Sequence, residues 1–328
     1  MNRTPITFII LTPSLNQLGY LRRCVASVRD QGVESAVIEH WVIDGGSTDG
    51  TVDWLRDQGV SHLSEPDAGM YDALNKGLEM VWRRSEVGGR KTEVGGRKSE
   101  DESRDHEGRE EHEGREKGEV VFAWLNADEQ YLPGALQRAL EGVRAWPSVD
   151  IVCGGALIVD ETGKLLTYCK SLPLRPLYLR THLYNLSCGL VFRARVLHGG
   201  IRFDPSLQAI ADWLFIRKLL AAGARSACLP GYLAAYTFAP GNISNQPVAQ
   251  AERRALLRSV NPAAALLTGY ARVLREVERW WRGTRREHFP LVYEIYTGER
   301  TERTEFRASR VPARWPGKKK RMEEKDEG

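Results

Sequence analysis

The stretch IEHWVIDGGSTDGT, residues 38–51, decides how the chain folds. Ile38 to Ile43 reads as a strand, and two glycines follow directly on Asp44. Ser47, Thr48 and Asp49 then offer capping side chains to a helix over Thr51 to Gln58. A strand that passes through an acidic, glycine-rich turn into a helix is one unit of an alternating pattern. The flanking sequence repeats that unit in both directions.

Upstream, Ile6 to Leu11 reads as a buried strand, and Leu21, Val25 and Val28 have helical spacing within Tyr20 to Asp30. Downstream come a short strand over Val60 to Ser64 and a helix over Met70 to Trp82 with Leu74, Leu78 and Val81 on one face. A fourth strand spans Val120 to Leu125. Alternation of this kind predicts an α/β fold, a mostly parallel sheet with helices on both faces. Ligands of such sheets bind at the carboxyl ends of the strands. The polar motifs fall there: Thr12-Pro13-Ser14, Asp44-Gly45-Gly46, Asp67, and Asn126 to Glu129.

Composition bounds the rest. The chain has 328 residues, 42% of them hydrophobic, which suffices for a sizeable core. The net charge of +4 is uneven, with Lys318-Lys319-Lys320-Arg321 in the last stretch, so it is not the footprint of a nucleic-acid surface on the folded part. The five cysteines form no C-x-x-C pair and read as reduced core thiols of a cytosolic protein. Pro13 ends the first apolar run well short of a signal peptide, and no run is long enough to span a bilayer. A cytoplasmic location is the expectation.

Residues 84–118 interrupt the pattern with EVGGRKT/EVGGRKS and DHEGRE/EHEGRE repeats. The segment has almost no apolar residues to offset its ordering entropy, and is expected to be a disordered insertion. Beyond it, Pro133 to Trp146 reads as a helix. Asp150 to Val159 and Leu165 to Lys170 read as strands paired across the turn Asp160 to Gly163. Leu190 to Arg193 is a further strand and Asp212 to Ala222 a helix. Residues 246–290 form a helical extension, with Gln250 to Trp281 amphipathic and broken near Asn261-Pro262. Residues 291–328 are charged and expected to be loose.

No G-x-G-x-x-G follows the first strand, and no G-x-x-x-x-G-K-[ST], G-x-S-x-G or H-E-x-x-H occurs. Nicotinamide, P-loop, α/β-hydrolase and zincin chemistry are therefore not indicated. The acids at the strand ends remain. Asp44 could accept hydrogen bonds from a base or ribose, or could serve only as a turn acid. Lys76 could reach a diphosphate if its helix face points at the cleft; on its own it is an ordinary solvated lysine. Asp128 suits a hard divalent cation shared with a diphosphate. Glu129 reads as the solvated start of a turn, and Asp212 as an N-terminal helix acid.

In order, ITFIILTPSLNQ, VIDGGSTDGT, SEPDAGMYDALNKG, LNADEQY and FDPSLQAIADWLF closely resemble family 2 glycosyltransferases of the GT-A fold, over roughly residues 6–244. Bacterial members that build surface polysaccharides look most similar. The resemblance implies one glycosyltransferase domain over residues 1–245. It implies an inverting, metal-dependent transfer of a sugar from a nucleotide-diphosphate donor to a hydroxyl of a glycan or lipid-linked saccharide. By position, Thr12 and Ser14 would line the nucleotide pocket, Asp44 would bind the base, and Asp67 would close the nucleoside side. Asn75 and Lys76 would face the diphosphate. Asp128 would hold Mn²⁺ or Mg²⁺, and Asp212 would be the general base. Asn126 stands where some relatives have aspartate, at the ribose contact. Gly241 to Ser244 resembles the family's loop that folds over the donor. Two other readings stay open: a degenerate homologue that only binds nucleotide or scaffolds a complex, and a sugar nucleotidyltransferase. The C-terminal helix sets Trp280 and Trp281 among arginines, which suits either packing on the domain edge or peripheral contact with the inner face of the cell membrane.

Overall fold

The computed structural model describes residues 4–87, 118–239, 241–243, 246–258 and 263–312. The repeats of residues 88–117 lie outside these, as do residues 313–328 with the KKKR run.

The first half is built as the alternation dictates. Strand β1 (Ile6–Ser14) leads to α1 (Leu18–Arg29), β2 (Ala36–Asp44) to α2 (Thr51–Asp57), and β3 (Ser61–Ser64) to α3 (Met70–Val87). Then comes β4 (Glu119–Trp124). These strands lie in the order β3-β2-β1-β4 and all pair in parallel. Alternate residues of β1 serve opposite faces. Ile9 and Leu11 meet Leu74, Leu78 and Val81 of α3. Ile6, Phe8 and Ile10 share the other face with Cys24 and Val28 of α1. This is the covered, parallel half that the resemblance implied.

The second half departs from strict parallel order. It comprises β5 (Glu129–Tyr131), α4 (Ala135–Ala145), β6 (Ile151–Val159), β7 (Leu165–Cys169), β8 (Leu190–Arg193), α5 (Ala211–Ala221) and β9 (Ser226–Thr237). The sheet continues from β4 through β8, β6 and β9 to β5, with β7 also paired to β6. Strands β4–β8, β8–β6 and β9–β5 are antiparallel, while β6–β9 is parallel. Strand β9 was not legible in the sequence. Pro230 and Gly231 interrupt it, and Gly231 takes a positive φ of 79° where the β6–β9 register shifts. The local pattern therefore looks like a turn, yet the strand forms because β6 and β5 hydrogen-bond to it on either side.

One connection sets the shape of the site. Strand β5 lies at the far end of the sheet from β4, yet only four residues, 125–128, join them. Four residues reach at most about 14 Å, so the sheet must curl to bring its last strand back beside β4. Asn126 and Asp128 sit in that seam.

The C-terminal part has α6 (Pro247–Arg258), α7 (Ala263–Trp281), β10 (Leu291–Ile295) and β11 (Thr304–Ala308). The break expected near Asn261-Pro262 lies outside the described residues. The loose tail is not: β10 and β11 form an antiparallel hairpin. Tyr293 and Ile295 join Leu157, Val159 and Leu165 in an apolar cluster, with Phe306 packed against it. Alternation of Val292, Glu294 with Tyr293, Ile295 gives this hairpin one apolar face, enough to hold it on the sheet.

Candidate functional site

Two turns interlock at the carboxyl edge of β1 and β2. The carboxylate of Asp44 is buried and accepts hydrogen bonds from the Gly46 and Ser47 amides (3.1 and 2.9 Å) and from the Ser47 and Ser64 hydroxyls (2.5 and 2.7 Å). Asn16, at a positive φ of 52°, receives the Thr48 amide on its side-chain oxygen at 2.8 Å. Asp49 accepts from the Leu18 amide at 3.0 Å and from Thr51 at the start of α2. The helix cap itself falls on Gly50, at φ 87°.

The Pro66-Asp67 turn lies directly against this structure. A Cβ added at Gly45 would stand 2.7 Å from Asp67 Oδ2, so only glycine leaves room for that carboxylate. Asp67 also accepts the Gly69 amide at 2.8 Å. The two motifs that carry the resemblance are thus brought together at one edge.

Three other expected residues are engaged by the protein itself. Thr12 is buried, with its hydroxyl 2.9 Å from His40 Nε2 and 3.5 Å from Cys24 Sγ. Lys76 donates to the Pro66 carbonyl (3.1 Å) and pairs with Glu65 (2.9 Å), which holds its ammonium above the usual lysine range. Asn75 clamps the backbone of Phe203, giving to its carbonyl at 3.0 Å and accepting from its amide at 2.9 Å. Ser14 is buried at the end of β1 with a hydroxyl that has no partner among the described residues.

The seam holds the acids. Asp128 accepts a hydrogen bond from the Asn242 side chain at 2.5 Å, and its carbonyl receives the Thr237 amide at 3.2 Å. Asn242 belongs to the Gly241–Ile243 loop, so that loop lies over Asp128. Burial pushes the Asp128 carboxyl up to about 6, against the opposing pull of its own amide, Asn242 and Arg23. Asn126 presents a buried side-chain oxygen with no partner among the described residues. Glu129 is only 2% exposed, so the expected solvated turn is overturned. Pairing of β5 with β9 turns its side chain inward, where it accepts the Asn126 amide at 2.7 Å. Burial, then the charge of Asp128, keeps the Glu129 carboxyl well above the usual range.

Asp212 arrives from another part of the chain. It sits in the first turn of α5 and accepts the Trp213 amide at 2.7 Å and the Tyr71 hydroxyl at 3.4 Å. Burial pushes its carboxyl up to about 6. Phe215 of the same helix meets Trp124, the last residue of β4, edge-on at 6.1 Å, which brings Asp212 towards the seam. An aromatic stack fixes the two helix starts: Phe203 stacks on Tyr71 (5.5 Å) and Phe215 (4.3 Å), and meets Trp124 edge-on at 5.2 Å.

Tyr71 and Asn242 are the site residues that sequence reasoning left unassigned. Both stand inside motifs singled out there, SEPDAGMYDALNKG and the 241–244 loop, but only folding shows what they touch. Among the described residues no three His, Cys, Asp or Glu side chains converge as a metal cage. A hard cation held mainly by a diphosphate does not need one. Mg²⁺ is commonly bound by one or two carboxylates plus substrate phosphates. The Asp128 carboxylate and the unpartnered Asn126 oxygen are donors of the kind that role needs.

Residues 9–82 match the family described as glycosyl transferase family 2. The matched segment holds the Asp44, Asp67 and Lys76 motifs. Among curated proteins, an uncharacterized glycosyltransferase of Mycobacterium tuberculosis, Rv1514c, is 47% identical over 84 residues, 23% of this chain and 32% of that protein. Glycosyltransferase AglJ of Haloferax volcanii is 33% identical over 76 residues, 23% of this chain and 24% of its own. The matched part thus spans a third or less of these relatives. Among solved structures, S. aureus TarS 1–349 with UDP-GlcNAc aligns over 93% of this chain and 99% of its own, at 15% identity and a TM-score of 0.48. Mannosyltransferase PcManGT of Pyrobaculum calidifontis, with GDP-Man and Mn²⁺, aligns over 86% and 84%, at 17% identity and 0.44.

Proposed function

We propose that the chain transfers a sugar from a nucleotide-diphosphate donor to an acceptor hydroxyl, in one displacement with inversion, with Asp212 as general base. The acceptor is a glycan or a lipid-linked saccharide. One observation carries this reading: α5 brings Asp212 towards the Asp128 seam, with Phe215 of that helix edge-on to Trp124 at the end of β4 (6.1 Å), although 84 residues separate the two acids in sequence (212 minus 128).

The acceptor oxygen attacks the anomeric carbon as the bond to the diphosphate oxygen breaks, and its proton passes to Asp212. A carboxylate with a pKa near 6 is ionised at neutral pH yet basic enough to take that proton as the new bond forms. Tyr71 and the Trp213 amide hold one carboxylate oxygen and so fix the direction of the other. On the donor side, Ser14, Asp44 and Asp67 sit at the strand ends for the nucleoside, with Thr12 packed beneath them. Lys76 turns to the diphosphate by exchanging Glu65 for it, and Asn75 acts by holding Phe203. Asn126 and Asp128 would hold Mn²⁺ or Mg²⁺, which when bound neutralises charge on the departing diphosphate. The place of work is the cytoplasm, with peripheral contact at the inner face of the membrane.

A panel of UDP- and GDP-sugars with Mn²⁺ or Mg²⁺ tests the reading. Asp212→Asn should cut transfer by about 10²–10⁴-fold while donor binding, followed by calorimetry, is retained. Normal transfer by that variant removes Asp212 as base. Turnover undiminished by both Asp128→Ala and chelation removes the metal role.

A further inference from the structure

Helix α7 turns most of its apolar residues away from the protein. A helix on a protein surface ordinarily turns its apolar stripe to the core and its charges to water. Here Leu267, Tyr270, Val273, Val277, Trp280 and Trp281 are all exposed, the two tryptophans by 70% and 73%. At 3.6 residues per turn they fall within roughly 140° of the helix circumference. The side facing the protein carries Ala271, buried, Leu274, which packs against the core, Arg275, only 6% exposed, and Glu278. Glu278 accepts from both Nε and Nη2 of Arg175 at 2.9 Å and from the Tyr178 hydroxyl at 2.8 Å. Arg275 reaches Thr181 Oγ1 at 3.4 Å. These polar bonds and the small contact of Ala271 and Leu274 dock the helix, and its larger apolar stripe is left outward.

We infer that this outward face of α7 docks on an anionic membrane surface. A contiguous exposed apolar stripe marks an interaction site. The charge beside it selects the partner. Residues 263–288 hold six arginines (272, 275, 279, 282, 285, 286) and three glutamates (276, 278, 287), a net of +3. Arg272, Arg282, Arg285 and Arg286 are exposed along the flank and end of the helix; Arg282 pairs with Glu278 and lies over the Trp281 ring at 5.8 Å, and Arg285 pairs with Glu276, so the net positive charge sits mainly with Arg272 and Arg286. Apolar and tryptophan side chains on one side with arginine beside them is the arrangement that lies in a bilayer interface, and basic charge is drawn to acidic headgroups. Two copies meeting on this face would set like-charged flanks together instead.

The position of the surface fits a lipid-borne acceptor. Arg175, Tyr178 and Thr181, which hold α7, belong to the segment around the short 3-10 turn Tyr178–Arg180. From that turn the Leu179 carbonyl accepts the Trp213 indole N–H at 2.6 Å, one residue from Asp212. Membrane contact thus lies one layer of side chains from the proposed base. Docking itself needs neither donor nor transfer.

Sedimentation of the full chain with vesicles tests it. The protein should pellet with vesicles containing phosphatidylglycerol, less with pure phosphatidylcholine, and less as salt is raised. Trp280→Ala/Trp281→Ala should weaken that binding by at least about tenfold, with an unchanged circular dichroism spectrum and unchanged donor binding. Val273→Asp should do the same from the middle of the stripe. Failure to pellet with either vesicle overturns the inference, as does undiminished binding by both variants. Self-association lost on the tryptophan substitutions, without vesicle binding, assigns the face to a second copy and also overturns it.

Discussion

The carboxyl of Asp212 meets two opposed demands. As the proposed base it would have to be ionised to accept a proton, yet burial favours its neutral form and lifts it to about 6 from 3.8. A carboxyl raised in the fold contributes stability fully only below its unfolded value. That contribution is lost as pH climbs from about 4 to about 6, and is absent at 7. Asp212→Asn should therefore raise stability at pH 7, by up to about 3 kcal/mol, and flatten the fall between pH 4 and 6. Urea unfolding at both ends of that range checks this; an unchanged slope would show that Asp212 is not the group under strain. Asp128 was legible at this scale because an acid ends an apolar run. Burial of Glu129 was not, because it depends on β9, which a local reading cannot see.

At the scale of elements, α3 and α5 converge through Asn75 and the aromatic stack. The resemblance assigned Asn75 to the diphosphate, whereas both of its amide functions here bind the Phe203 backbone. Asn75→Ala should leave that amide and carbonyl short of partners and cost about 1–3 kcal/mol. Phe203 would then drift, and with it Tyr71 and Asp212, so kcat should fall more than donor affinity. Unfolding midpoints, set beside donor titrations, decide the matter: full stability with lost donor affinity would return Asn75 to the diphosphate. The periodicity of α3 located its apolar face correctly. Its polar partners lie more than a hundred residues away, and no periodicity encodes those.

Over the whole molecule, the C-terminal hairpin closes the fold on itself. Arg303 pairs with Asp30 at the C-cap of the first helix, and Gln130 exchanges two hydrogen bonds with Tyr296 (3.0 and 2.8 Å). The Tyr293 hydroxyl reaches the Gly163 carbonyl at 2.7 Å in the β6–β7 turn. Ending the chain after Pro290 should expose that apolar cluster and lower Tm by roughly 5–10 °C. A truncated chain that melts at the same temperature would restore the picture of a loose tail. A charged stretch was readable from the sequence; its single apolar face, Tyr293, Ile295 and Phe306, is too short a signal without the surface it covers.

The sequence by itself determined the elements that local chemistry specifies. Apolar runs ending in Asp-Gly-Gly or Pro-Asp-Ala-Gly, and helices with one apolar face, carry their own period, so β1 to β4 and α1 to α3 were legible. Tertiary structure alone decided the curl of the sheet that sets Asp128 in a seam and the burial of Glu129. It also decided the meeting of Asp212 with that edge and the outward face of α7. Each of these depends on pairing between residues far apart in the chain, and on desolvation that begins only once those partners exclude water.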